Sequence, residues 1–308
     1  MPQLAYAILW RMEGGTRNVR QVVSRMRRMR HVFGVHTDAG FTIVEVLIVF
    51  AVTGILFLSA VALISGRQNQ AAFNQAIQQM QSQVQQIINE VSVGYYPNAK
   101  NFQCTAGATG PIISSGSSAQ GTNSGCIFVG KAIQFQVLGT KPEQYAIFTI
   151  AGLQKNTSGQ DVQSLTEADP TAVAPSTAQP SLPDQTTVTT LQSGLTTYKM
   201  TYNNGGADIP VGAVAFVNSF ASYSGGTITS GSQQISVVPV ATSAINTNRT
   251  TAADAINTNL AASVVNPTSG VSICFASGGT NQSGLLTIGG NGHPLAVTLT
   301  IKGNKTCT

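Results

Sequence analysis

The chain has 308 residues and a net charge of +5, yet only 9 % of its residues are charged. The excess sits before Phe41, where seven arginines (Arg11, Arg17, Arg20, Arg25, Arg27, Arg28, Arg30) face Glu13 and Asp38, leaving +5. From Phe41 onward nine basic residues meet nine acidic ones, so a body built to bind nucleic acid lacks its electrostatic footprint. Residues 1–40 therefore read as a basic leader, held on the cytoplasmic side by the positive-inside rule. Met26 and Met29 could each start a shorter leader of the same kind.

Gly40 is followed by an apolar run, Phe41 to Ile64, in which sixteen of 24 residues are Phe, Ile, Leu or Val and the single charge is Glu45. Its length suits a bilayer-spanning helix. Its apolar side chains favour insertion by about 5–10 kcal/mol, against about 3 kcal/mol for one acid at the centre. An intramembrane acid is by default functional and has a partner.

Gly40 with Phe41-Thr42-Ile43-Val44-Glu45 and the apolar run resembles the class III signal of type IV pilins and type II secretion pseudopilins. The resemblance implies that a prepilin peptidase cuts between Gly40 and Phe41 and methylates the new amino terminus. It also implies that Glu45, fifth in the mature chain, pairs with the terminal amine of a neighbouring subunit during assembly. Two other readings stay open. A plain single-pass anchor explains the hydrophobicity but leaves Gly40 and Glu45 unexplained. A secretory signal peptide would be cut after Ala60-Val61-Ala62, although the apolar run is long for one and helical patterning continues beyond it.

After Arg67 the apolar residues Phe73, Ile77, Met80, Val84, Ile87 and Val91 recur every three or four positions. Gln75, Gln78, Gln79, Gln81, Gln85 and Gln86 fall on the other faces. No boundary signal separates this stretch from the span, which predicts one helix from about Phe41 to Val93, about 80 Å long. Gly94 and Pro97 end it. Gly54 weakens the apolar half by about 1 kcal/mol relative to alanine. Pilins often carry that glycine and a proline near Ala62. The missing proline is more similar to minor pilins and pseudopilins.

Residues 98–125 read as a Gly/Ser/Thr loop. Strand patterns follow at Cys126–Val129, Ala132–Leu138 and Tyr145–Ile150, with Lys131 marking a solvated turn between the first two. From Gln154 to Gln192 the composition shifts to Thr, Ser, Gln, Ala and Pro, and an exposed insertion over about 153–193 is expected. Strands resume at Leu195–Tyr202, Val211–Phe220 and Ile235–Val240. Residues 241–270 form a loop or a short helix, and the last strands are Val271–Ala276, Leu285–Ile288 and Leu295–Ile301.

Cys104, Cys126, Cys274 and Cys307 lie beyond the span, on the side where disulfides persist. Four cysteines allow three pairings. Local pairing, Cys104 with Cys126 and Cys274 with Cys307, is expected because each pair brackets one compact strand-and-turn segment. In pilins a carboxy-terminal disulfide commonly clamps an exposed loop, and 274–307 resembles that arrangement. Without Cys-x-x-Cys, and with His293 the one histidine past Phe41, no metal or cofactor is expected. His293 lies in a Gly-Asn-Gly-His-Pro turn and reads as a surface residue. Phosphate-loop, zincin and nucleophile-elbow motifs are absent, so no enzyme is expected.

The fold class implied is α+β: a pilin fold, with 41–64 as transmembrane and filament-core helix, 65–97 as its amphipathic continuation, and 98–308 as a head with one antiparallel sheet. The function implied is a minor pilin or pseudopilin. Its partners would be homologous subunits, the prepilin peptidase, an inner-membrane assembly platform and, before assembly, membrane lipid. It would sit single-pass in the cytoplasmic membrane with its head outside, then in an extracellular or periplasmic filament. Two alternatives use the same head. One is a tethered or secreted adhesin that does not polymerise. The other is a DNA-uptake pilin relying on Lys302 and Lys305.

Overall fold

Residues 42–92 lack proline, and their glycines stand singly, so nothing interrupts helix propagation. In the computed structural model one α-helix, α1, spans Ile43–Ser92. The structure describes residues 42–94, 102–107, 110–116, 125–137, 140–203, 207–218, 235–241, 248–262, 270–290, 295–304 and 307. At its end, Gly94 adopts φ +65° and its N–H donates to Val91 O at 3.1 Å, closing the helix. Pro97 lies outside the described residues. By internal contacts the chain divides into two units, one up to Val61 and one from Ala62.

Among the described residues of the second unit, twelve strands follow α1: β1 (Phe102–Gly107), β2 (Gly110–Ser115), β3 (Cys126–Val137), β4 (Lys141–Leu153), β5 (Thr171–Ala172), β6 (Thr187–Thr190), β7 (Leu195–Tyr202), β8 (Ile209–Asn218), β9 (Ile235–Ala241), β10 (Val271–Ser277), β11 (Ser283–Ile288) and β12 (Val297–Lys302). Two further helices are α2 (Leu165–Ala168) and α3 (Arg249–Ala262). β1 and β2 make a separate hairpin. The other ten strands form one sheet in the order β12-β11-β10-β7-β8-β3-β4-β5, with β6 also on β4 and β9 also on β8. All its pairings are antiparallel. The architecture is α+β.

Strand alternation sends two different sets of side chains to the two faces. One set, including Phe135, Phe216, Phe275, Ile273 and Leu286, meets the seam of α1, where Phe73, Ile77, Met80, Val84, Ile87 and Val91 are all buried. The helix comes so close at β11 that a Cβ on Gly284 would stand 1.7 Å from Ile77 Cδ1. On the opposite face the sheet presents small residues, Ala132, Ala146, Ala213 and Ala215, and α3 answers with Ala252, Ala253 and Ala255 around Ile256 and Leu260. Small side chains on both sides let helix and sheet approach closely.

Four expectations need correction. Lys131 is not in a turn. Cys126–Val137 is one strand bent by bulges near Val129 and Gln136, and Lys131 is buried in its middle. Gly130 beside it has no room for a side chain, since a Cβ there would meet Phe216 O at 2.0 Å. Residues 154–192 are not an exposed insertion: Leu165, Ala168, Val173, Ala174, Leu182 and Leu191 are buried, and β5 and β6 pair with β4. The supposed loop 98–125 contains the β1–β2 hairpin, fastened by the Cys104–Cys126 disulfide. Gln81 is not wholly on a wet face, because its amide donates to Val297 O at 3.0 Å.

Candidate functional site

The residues that set the first unit apart begin at Thr42. Its Oγ1 accepts the Glu45 N–H at 3.3 Å, so the hydroxyl caps the first turn of α1. Thr42-x-x-Glu45 has the spacing of a capping box, and an acid in the first turn also meets the positive end of the helix dipole. The sequence reading treated Thr42 only as part of a motif. The threonine-to-glutamate spacing was the signal that could have marked it as a cap. Among the described residues no cation or hydrogen-bond donor meets the Glu45 carboxylate, which is exposed.

From Ile43 to Val61 every large apolar side chain is exposed, from 40 % at Val46 to 80 % at Ile43. Phe50, Ile55, Leu56, Phe57 and Leu58 are all between 64 % and 70 % exposed, and they point around the whole circumference. A helix apolar on all sides is buried in its working state, in lipid or against other helices. Its polar side chains are prepared for that medium. Thr53 Oγ1 donates to Val49 O at 2.7 Å, and Ser59 Oγ donates to Ile55 O at 2.8 Å. Hydroxyls satisfied within the helix avoid the cost of an unpaired polar group in hydrocarbon. The Glu45 carboxylate has no such partner within the helix among the described residues. By length and composition α1 can cross a membrane.

Gly40 and Phe41, the expected processing residues, lie outside the described residues. Glu45 belongs to the first unit. The four cysteines belong to the second, joined as Cys104–Cys126 and Cys274–Cys307 with Cα atoms 5.8 and 5.9 Å apart. His293 and Lys305 lie outside the described residues. Lys302 is half-buried, and its Nζ donates to Cys307 O at 3.0 Å.

The second unit also holds a charged pair that the sequence reading missed. Lys131, from the middle of β3, donates to Glu90 on the last turns of α1, and the other Glu90 oxygen accepts from Gln86 Nε2 at 2.8 Å. Forty-one positions separate the two charges, so no local pattern marks them. On the far side Arg249, at the start of α3, pairs with Asp184. Burial works against ionisation of Asp184, but donors on Thr186 and the Arg249 guanidinium outweigh it and hold the carboxyl below its usual range.

Residues 36–61 match the family model for the prokaryotic N-terminal methylation motif. Neither the curated proteins nor the solved structures contain a match to the chain. The matched segment covers Gly40, Phe41, the Thr42 cap, Glu45 and the uncovered apolar helix. On an α+β frame with a long amino-terminal helix, this chain carries the class III signal of type IV pilins and pseudopilins.

Proposed function

We propose that the protein is a structural subunit, a minor pilin or pseudopilin, of a type IV pilus-like filament. A prepilin peptidase cuts it after Gly40 and methylates Phe41. It waits in the cytoplasmic membrane, amino terminus inside and head outside, before an inner-membrane platform delivers it to the filament. The observation that carries this reading is the exposed apolar helix with one unanswered acid, inside the segment that matches the methylation motif. A plain membrane anchor has no use for that acid. In a filament it meets the terminal amine of a neighbouring subunit, and a misplaced register leaves a buried charge alone, at about 3–5 kcal/mol. That penalty selects one axial spacing between subunits.

The mass of the mature amino terminus tests the processing step. Methylated Phe41 is expected, and a terminus at Leu63 would end the proposal in favour of a secretory signal peptide. Glu45→Ala should insert in the membrane at normal levels yet fail to enter filaments. Normal filaments from that variant would remove the pairing role. The DNA-uptake alternative gains nothing from Lys302, whose ammonium is engaged by the chain's own tail.

A further inference from the structure

Along β7, β10 and β11 the residues Met200, Ile273, Phe275, Leu286 and Ile288 enter the core beneath α1. Their neighbours in sequence therefore face the other way. Register sets Thr201 beside Ser272, Ser272 beside Thr287 and Thr287 beside Thr298, one hydroxyl per strand across four strands. Helix α3 closes this side of β3, β4, β8 and β9, but its apolar cluster includes no residue of β7, β10, β11 or β12.

Part of this face, which the α3 cluster does not reach, is the floor of a cleft of about 540 Å³, formed by Thr201, Ser272, Cys274 and Leu285. Cys307, tied to Cys274, contributes to its wall. A register shift opposite Cys274 turns both Tyr198 and Lys199 outward at the rim, and Tyr198 is 61 % exposed. Asp208 completes the rim: Asn203 Nδ2 donates to its Oδ1 at 3.3 Å, and Lys199 Nζ stands 4.0 Å from its Oδ2.

The lining selects a ligand class. Among the described lining residues one lysine and one aspartate neutralise each other, so there neither an anion nor a cation finds excess opposite charge. An apolar ligand would strip water from Thr201 and Ser272 and give no hydrogen bond back. A neutral molecule rich in hydroxyls satisfies both conditions, and an exposed tyrosine ring offers its face to the apolar side of a sugar. The volume lies in the range of small-ligand sites. We propose that this cleft binds a neutral oligosaccharide, with hydroxyls meeting Thr201, Ser272 and Asp208 and one ring lying on Tyr198.

The test is calorimetric titration of the full chain, held in a sugar-free zwitterionic detergent, with cellotetraose, chitotetraose and lacto-N-tetraose, and with a heparin tetrasaccharide as the charged comparison. Binding of at least one neutral saccharide is expected. Asp208→Ala and Tyr198→Ala should each weaken it about tenfold, the effect of losing one charge-assisted hydrogen bond or one stacked ring. Thr298→Val, in the same hydroxyl row but outside the cleft, should leave it unchanged. Circular dichroism and intact disulfides show that each variant is folded. No binding of any neutral saccharide overturns the proposal, as does equal binding by all variants or a salt-sensitive preference for heparin. The measurement is made on dispersed subunits, so its outcome is independent of filament assembly.

Discussion

A lysine that is only 6 % exposed must have its charge answered. Glu90 does this for Lys131, and the two sides of the pair are unequal: the lysine side chain is 7 % exposed, the glutamate 21 %. Glu90→Gln strands the more deeply buried charge and should cost about 3–5 kcal/mol. Lys131→Met leaves a carboxylate that still reaches water and keeps the Gln86 amide, so it should cost less. Urea unfolding of the two variants and of the Lys131→Met/Glu90→Leu double variant checks the order. The double variant should be closest to the parent, because a buried pair replaced whole by apolar groups is often neutral. In sequence, Gly130-Lys131 reads as a break in an apolar alternation. What overrides that reading is a partner on another element, which single-sequence patterning does not contain. Glu45 is the opposite case: the role proposed for it rests on Gly40, Phe41 and the apolar run next to it in sequence.

Elements with a strong period were readable. The α1 seam is buried at every position named from its spacing, and β7 spans Leu195–Tyr202 as its pattern predicts. Residues 154–192 were not readable, because their apolar residues are few and follow no period. Their order comes from elsewhere. Helix α3 holds this strap through Asn257 Oδ1, which accepts the Ala172 N–H at 2.7 Å, through Asp254, which accepts the Thr177 N–H at 3.0 Å, and through the Arg249–Asp184 pair. The last of these gives the latch a pH dependence. The folded carboxyl of Asp184 lies below its unfolded value, held there by the Thr186 donors and by Arg249, so its contribution is present above the ordinary carboxylate range and is lost as pH falls through the lowered value. Thermal melts should show Asp184→Asn less stable than the parent at pH 7. The difference should shrink as pH falls below about 4, the ordinary range of the group. A gap that widens on acidification would contradict this sign.

Across the whole molecule, the second unit has its own core on both faces of the sheet, two disulfides and its own helix cap. A fragment starting at Arg67 keeps the entire α1 seam and discards the uncovered apolar residues. It should express in an oxidising compartment as a detergent-free monomer that melts in one transition, which light scattering and calorimetry check. Aggregation of that fragment would mean that the apolar segment is needed by the head itself. The α+β class and the helix-first order followed from the amphipathic period and the strand runs. The two-sided covering of the sheet did not, because the alanines facing α3 look like ordinary strand filler until their partner is known.

One join between interior strands of the sheet is weak. β7 meets β8 through only two residue pairs, Thr201 with Pro210 and Tyr202 with Ile209, and proline has no N–H to give. Beyond that point Gln136, at φ +53° in the bulge of β3, donates its amide to Thr197 O at 2.8 Å in place of a ladder rung. The seam of α1 belongs to the same buried cluster as residues of β3, β8, β7 and β10, on both sides of this join. The lower helix thus works as a splint across a fracture line. If the head is stretched, the halves should part between β7 and β8 once that splint lifts, and amides beside the join should exchange with solvent before those at the centre of β3 and β4.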